Sequence, residues 1–312
     1  MAQKLAEERE SQIREVSGWW NLERNKKKWD RHYDGSDLHA ASYLRIRQKQ
    51  TIDFIKELGI SQNARVLELG YGAGQTALEL GKLGFEVHGM DISAGLEEAA
   101  MKRCTEGFPE GKFYLRVGNI EGKYPYEDKM FDLVVVIGAL QYLYSPGDCM
   151  REVFRILKPG GYFIVTQKNS YSLSNFTSLR DFARTLVYFL CREKYEVFPS
   201  FKSMLVDSNL KAIFGRFKDS KLFNTRFMLA GHDVWKFKIN KRIFSYFSLR
   251  AMLQRAGFTV LKAAEAYYCF SEDPQYQEFN LKTDRWINAR VKSGLRFLFI
   301  LGKSIVMVAR KS

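Results

Sequence analysis

The chain has 312 residues, 46% hydrophobic and 27% charged, with a net charge of +14. That balance suits one large domain, or a domain with an elaboration, around a sizeable core. Six prolines and no low-complexity tract argue against long disorder, and the most apolar stretch, 295–309, is interrupted by Arg296 and Lys303 and is too short for a membrane span.

Residues 3–16 read as a polar helix, and 39–58 as a second helix with Tyr43, Ile46, Ile52 and Ile55 at spacings near three and four. The pattern then changes. A short apolar strand, 66–69, runs into Gly70-Tyr71-Gly72-Ala73-Gly74, a helix covers 76–83, and Gly84 stops it. A second strand, 85–90, ends at Asp91, and Ser93 is placed to cap the helix of 96–104. Strands follow at 113–117 and 131–137; the run 133–137 is apolar at every position, as in a strand buried between two helical layers. A helix over 149–157 meets Lys158-Pro159-Gly160-Gly161, a Pro/Gly stop before a fifth strand at 162–166. Alternation of this kind predicts parallel βαβ units with right-handed crossovers.

The alternation lapses over 169–244, which is irregular, basic and aromatic. It resumes with a helix at 248–256 stopped by Gly257, a strand at 259–264, a helical stretch at 282–298 and a last strand at 304–309. The expected organisation is an N-terminal helical cap (1–50), an α/β core (51–168 with 245–312) and an insert (169–244) after the fifth strand.

The charge follows these boundaries: +3 over 1–50, −3 over 51–168, +9 over 169–250 and +5 over 251–312. A basic patch of this kind suits phosphate-bearing partners, such as nucleic acid, anionic lipid head groups or a phosphorylated metabolite, or it is a solvated surface. The segment 176–190 reads as an amphipathic helix, and the aromatic, basic insert suits a hydrophobic or anionic acceptor or peripheral contact with a membrane surface. The N-terminal stretch MAQKLAEERE lacks the apolar region of a signal peptide, and Cys104, Cys149, Cys191 and Cys269 show no CxxC spacing. A cytoplasmic protein with no metal site is expected.

The strongest chemical signal is Glu68-x-Gly70-x-Gly72-x-Gly74 between a strand and a helix. Glycine there lets backbone turn and approach a ligand, and the helix start offers free N–H groups. Asp91 lies 21 residues after Gly70 at the end of the next strand, where a carboxylate accepts hydrogen bonds from ribose hydroxyls. From Gly70 the dinucleotide fingerprint fails at Gln75; from Gly72 its looser form fits, with Gly74 and Ala77. The loop alone therefore leaves a nicotinamide or flavin enzyme open. A phosphate-binding G-K-[ST] sequence is absent.

Taken in order, residues 66–74, Asp91, Gly118-Asn119-Ile120, Phe131-Asp132-Leu133-Val134 and Leu157-Lys158-Pro159-Gly160-Gly161 resemble the successive motifs of class I S-adenosylmethionine (SAM)-dependent methyltransferases, closest to the branch that acts on small molecules. The resemblance covers 50–168 well and 248–264 with the last strand less specifically. It implies a Rossmann-like, doubly wound seven-stranded sheet with an antiparallel last strand, a helical cap and a lid insert after the fifth strand. It also implies SAM as cofactor, with S-adenosylhomocysteine as product. Glu68, Gly70 and Gly72 would then face the methionine half of SAM, with Gly74 completing the loop. Asp91 would hold the ribose, Ile92 pack on adenine, and the Ile120 backbone read the ring nitrogen. Asn119 stands where the family usually has Asp, keeping an acceptor oxygen without the charge. Ile137 and Gly138 would pass under the sulfonium, and Arg47 would reach the SAM carboxylate. Gln141 and Tyr142 fall where relatives face the substrate.

A hydroxyl acceptor is helped by a general base. His232, beside Asp233 in the insert, is the better candidate; His88, inside a strand, reads as packing. The expected function is methyl transfer to O, N or C of a small-molecule acceptor: a lipid, quinone-like, glycan or secondary-metabolite group. The alternatives are an RNA methyltransferase using the basic insert and a non-catalytic SAM-binding protein. Against RNA, the loop after the fourth strand lacks an Asn/Asp-Pro-Pro-Tyr motif and the chain has no Pro-Cys nucleophile.

Overall fold

The computed structural model describes residues 2–23, 38–169, 172, 244–266, 268, 278, 282–287 and 302–312. The insert of 169–244 falls outside these residues except Asn169, Ser172 and Phe244, and the helix expected over 176–190 and His232 lie outside with it.

Two helices, α1 (Ala2–Trp20) and α2 (Leu38–Glu57), precede the sheet. The core then alternates β1 (Arg65–Leu69), α3 (Gln75–Lys82), β2 (Glu86–Asp91), α4 (Ala94–Gly107), β3 (Lys112–Val117) and β4 (Phe131–Ile137). A 3-10 turn, Leu140–Tyr142, leads to α5 (Pro146–Ile156) and β5 (Leu157–Lys168). After the insert come α6 (Tyr246–Arg255), β6 (Phe258–Ala266) and β7 (Ser304–Lys311). Of the helical stretch expected over 282–298, residues 282–287 are helical and the rest lies outside the described residues.

The seven strands form one sheet in the order β3-β2-β1-β4-β5-β7-β6. β1 to β5 pair in parallel, and β7 runs antiparallel to both β5 and β6. This is the Rossmann-like sheet with a reversed last strand that the motifs implied. β4 shows why it is central: Leu133, Val135 and Ile137 pack with α2, α3 and α4, while Val134 and Val136 pack with α5 and α6. Each strand side chain alternates between two hydrophobic layers, so an all-apolar run is buried on both faces. Among the described residues no helix is long and apolar enough to cross a membrane.

Two local readings need correction. The run Lys158-Pro159-Gly160-Gly161 is part of β5 and not a stop before it. Leu157 pairs with Phe131, and the register shifts before Leu133 meets Tyr162, so the Pro/Gly run is an irregularity inside one strand. Ser93 occupies the N-cap of α4, but its side chain makes no cap bond. Its hydroxyl donates to Asn21 Oδ1 at 2.9 Å, and that same oxygen accepts the Gly95 N–H at 3.0 Å, so the cap comes from a residue 74 positions away. By contrast α6 starts on its own capping box, Ser245 with Ser248.

Candidate functional site

Strand order reverses between β1 and β4, which opens a crevice at their C-terminal ends. Gly70 leaves β1 at φ +79°, and its N–H donates to the Met90 carbonyl at 2.7 Å. A Cβ on Gly70 would lie 2.7 Å from the Ala139 Cβ, so the loops after β1 and β4 approach this closely only through glycine. The next turn is tied to β2: the Gly72 N–H donates to Asp91 Oδ2, and the Ser93 N–H to Oδ1, both at 2.9 Å. Burial raises the Asp91 pKa, opposed by the backbone N–H groups of Ser93, Gly72 and Ile92. Each carboxylate oxygen retains a further lone pair at a residue that lines a cavity. That arrangement suits a pair of neighbouring hydroxyls.

The cavity measures about 210 Å³. Arg47, Gly70, Gly72, Asp91, Ile92, Asn119, Ile120, Ile137, Gly138, Gln141 and Tyr142 all line it. Asn119 Oδ1 accepts the Glu121 N–H at 2.9 Å, closing a local turn and holding the amide in place. Arg47 is 4% exposed, and its guanidinium lies against Gly138: a Cβ there, at φ +73°, would sit 2.8 Å from Arg47 Nη1. Gln141 Nε2 donates to the Gly138 carbonyl at 3.0 Å, bracing the same residue from the other side.

Two predicted residues stand behind the lining. Gly74 starts α3 at φ +81°, and a Cβ there would lie 2.9 Å from the Ala100 carbonyl oxygen, so this glycine lets α3 pack on α4. Glu68 is buried, with Oε2 lacking a hydrogen-bond partner. Burial pushes its carboxyl well above the usual carboxylate range, and the charge of Asp91 adds to this; Thr76 and the Ala77 N–H oppose it. His88 packs as expected, stacked on Tyr114 at 4.9 Å and 3.0 Å from Glu86 Oε1.

The roof of the cavity is α1, which the sequence marked only as polar. Ile13, Val16 and Trp20 line the cavity. Trp20 meets Tyr142 edge to face at 5.8 Å, and Gln12 Nε2 donates to the Tyr142 carbonyl at 3.0 Å. Ser17 Oγ donates to the Ile92 carbonyl at 3.4 Å. Arg9 pairs with Glu121 and Asp148, each at 3.2 Å. One helix thus touches the loops after β2, β3 and β4. Leu44, Leu96, Glu121, Ala139, Leu143 and Lys168 also line the cavity without having been singled out. The signal available for α1 was the spacing of Arg9, Gln12, Ile13, Val16 and Trp20, three and four apart on one face.

Residues 67–165 match a protein family described as a methyltransferase domain. Similar proteins include a sterol 4-C-methyltransferase of Caenorhabditis elegans, 28% identical over 123 residues, covering 38% of this chain and 36% of the relative. A demethylmenaquinone methyltransferase of Lactiplantibacillus plantarum is 32% identical over 120 residues, covering 38% and 49%. The chain spans less than half the length of either relative. Among solved structures, magnesium protoporphyrin IX methyltransferase from Synechocystis PCC 6803 with bound S-adenosylhomocysteine superposes with a TM-score of 0.57 at 14% identity, covering 96% of this chain and 100% of that one. At that identity the likeness shows the fold. Sheet order, glycine loop and family match agree: residues 67–165 are a methyltransferase domain, built on the Rossmann-like sheet of the class I SAM-dependent enzymes.

Proposed function

We propose that this chain transfers a methyl group from SAM to a small-molecule acceptor, of lipid, quinone-like, glycan or secondary-metabolite type. The observation that carries it is the gathering of Asp91, the Gly70–Gly72 turn, Asn119, Gly138 and Arg47 around one cavity, with the polar groups that a nucleoside with an amino-acid tail needs. SAM supplies, when bound, a sulfonium-activated methyl that a nucleophile takes up directly as the carbon–sulfur bond breaks, leaving S-adenosylhomocysteine. The protein's task is therefore to hold and exclude. Asp91 takes the ribose hydroxyls, Asn119 and the Ile120 backbone the adenine edge, and Arg47 the carboxylate. Glu68 supports the glycine loop from behind. Gln141 and Tyr142, after β4, orient the acceptor, and α1 keeps water out.

The named activities of the relatives, on a sterol and on demethylmenaquinone, support a hydrophobic acceptor. The basic, aromatic insert is proposed as the lid that selects it and as a surface for peripheral membrane contact. His232 is proposed as base for a hydroxyl acceptor; His232→Ala with turnover near wild type removes it from that role.

Calorimetric titration with S-adenosylhomocysteine tests the cofactor half: a one-to-one complex and a raised Tm are expected. Methyl-labelled SAM incubated with total lipid, polar metabolite and RNA extracts tests the rest. Label in lipid or metabolite fractions is expected. Label in RNA overturns the small-molecule reading, and binding with no label in any extract leaves a non-catalytic SAM-binding protein.

A further inference from the structure

We propose that Asn21 is a positioning residue for the cofactor's ribose: it sets the loop that aims Asp91, and it does so while α1 is closed over the cavity. The inference rests on the reading of Asp91 proposed above and deepens it.

Asn21 stands one residue past the end of α1, and its N–H donates to the Ser17 carbonyl at 3.0 Å, which extends the last helical turn. Its amide is used at both ends. Oδ1 accepts the Ser93 hydroxyl at 2.9 Å and the Gly95 N–H at 3.0 Å, while Nδ2 donates to Ser17 Oγ at 3.3 Å. Ser17 Oγ in turn donates to the Ile92 carbonyl at 3.4 Å. The end of α1 therefore grips Ile92, Ser93 and Gly95, between β2 and the first turn of α4.

The same stretch carries a bond that orients Asp91. The Ser93 N–H donates to Oδ1 and the Gly72 N–H to Oδ2, so one backbone group turns each carboxylate oxygen. Ser93 is the one within reach of α1. It is fully buried, its side chain makes no cap bond to α4, and its hydroxyl donates to Asn21. Without Asn21, a buried hydroxyl and the N–H of Gly95 at the helix start both lose an acceptor. A serine at an N-cap then has an alternative, which is to cap its own helix. Ser245 does so at φ −98° and ψ 164°, whereas Ser93, with nearly the same φ of −90°, is held at ψ 102°. Released, Ser93 swings toward the self-capping geometry. The peptide that joins it to α4 turns against the N–H that supports Asp91, and the carboxylate loses its aim at the ribose. Asn21 does not line the cavity, so it acts through Ser93.

The test compares adenosine with 2′-deoxyadenosine, which differ by one ribose hydroxyl, by ligand-observed NMR on the full chain. Wild type is expected to bind adenosine about tenfold more tightly or better, as a hydrogen bond to a charged carboxylate gives. Asn21→Ala is expected to cut that preference to less than threefold. Asn21 is exposed, so this variant keeps the core intact, which circular dichroism checks. Asn21→Asp keeps the acceptor, places a negative charge at the start of α4 and is expected to restore the preference. A looser roof alone weakens both nucleosides by the same factor. An undiminished preference in Asn21→Ala therefore overturns the proposal even where overall affinity falls, and so does a preference that Asn21→Asp fails to restore. A wild type that does not discriminate, including one that binds neither nucleoside, or a preference that survives in Asp91→Ala, strikes the reading of Asp91 and this proposal with it.

Discussion

Replacing Gly138 by alanine probes the meeting of fold and site at one atom. Gly138 stands at φ +73°, and the added Cβ would lie 2.8 Å from Arg47 Nη1 and 3.3 Å from Nη2. Two costs follow, and they separate. An L-residue in this left-handed conformation loses about 1–2 kcal/mol of folding stability. The contact itself falls on the far end of a flexible side chain, so Arg47 moves aside. If the guanidinium holds the carboxylate of the cofactor, displacing it removes a charge-assisted hydrogen bond of about 1.5–3 kcal/mol, or roughly 10- to 150-fold in affinity. Gly59→Ala is the matched control: φ is +61° and nothing lies within 4 Å of its added Cβ. Both variants are expected to lose similar stability in urea, and only Gly138→Ala to lose affinity for S-adenosylhomocysteine by calorimetry. In an Arg47→Ala background Gly138→Ala is expected to weaken binding no further. Affinity within twofold of wild type in Gly138→Ala, or an undiminished effect without Arg47, refutes the placement of Arg47.

Four further outcomes follow from the same site. Glu68 is held well above the usual carboxylate range by burial, so the folded state binds its proton more tightly than the unfolded state does; its contribution to stability is present at low pH and lost as pH rises through the raised value. Glu68→Gln is therefore expected to be more stable than wild type by about 1–3 kcal/mol at alkaline pH in urea denaturation, with the gap closing on acidification. Asp91 is raised in the same direction, so S-adenosylhomocysteine affinity is expected to fall with pH while ordinary carboxylates are still ionised, and Asp91→Ala to weaken binding at least tenfold with that pH dependence gone. Burial pushes the Cys104 and Cys149 thiols up to about 12, so peptide mapping after native maleimide treatment at neutral pH is expected to find both unmodified, and both labelled in urea. The amides of α1 are expected to exchange hydrogen faster than those of β1 and β4, and to be slowed selectively by S-adenosylhomocysteine.

The parts of the molecule that were legible are those whose cause is local. Residues 133–137 announce a doubly buried strand because every position is apolar, and Gly70, Gly72 and Asp91 are expected to cluster because their spacing is set by one βαβ unit; all three line one cavity. The misreadings have the opposite character. Lys158-Pro159-Gly160-Gly161 has turn composition, yet pairing of Leu157 with Phe131 across the sheet keeps it in a strand. Ser93 has cap chemistry, yet Asn21 supplies the cap from outside the core. Glu121 gave no signal at all, because its role depends on Arg9, Tyr144 and Ser145, which meet it only in the fold. Asn119 lies between these cases. Its identity raised the question of a missing charge, and the structure adds that its oxygen serves the Glu121 N–H, a bond that Asp would make equally well.

The expected exchange of α1 follows from what kind of contacts hold it. Its rim is polar: Arg9, Gln12, Ser17 and Asn21 bond to loop carbonyls, carboxylates and N–H groups, and Arg9 is still 31% exposed. Water replaces such bonds as the helix lifts, so each contributes about 1 kcal/mol or less to closure. Beneath the rim the apolar residues of α1 that line the cavity are Ile13, Val16 and Trp20. Val16 is buried, while Ile13 and Trp20 are only partly so. Complete burial of one such side chain is worth about 1.5–3 kcal/mol, so one complete and two partial burials leave a closing energy of about 3–5 kcal/mol. That corresponds to an open fraction on the order of 10⁻² to 10⁻⁴, populated often enough to admit a cofactor and rare enough to keep water out between turnovers. A cofactor touching Ile13, Val16 and Trp20 binds the closed form alone, and so deepens that energy by its own differential affinity. An apolar rim is expected to seal the cavity more tightly and slow product release; the polar composition of α1 is expected to let the roof lift, which the exchange measurement checks.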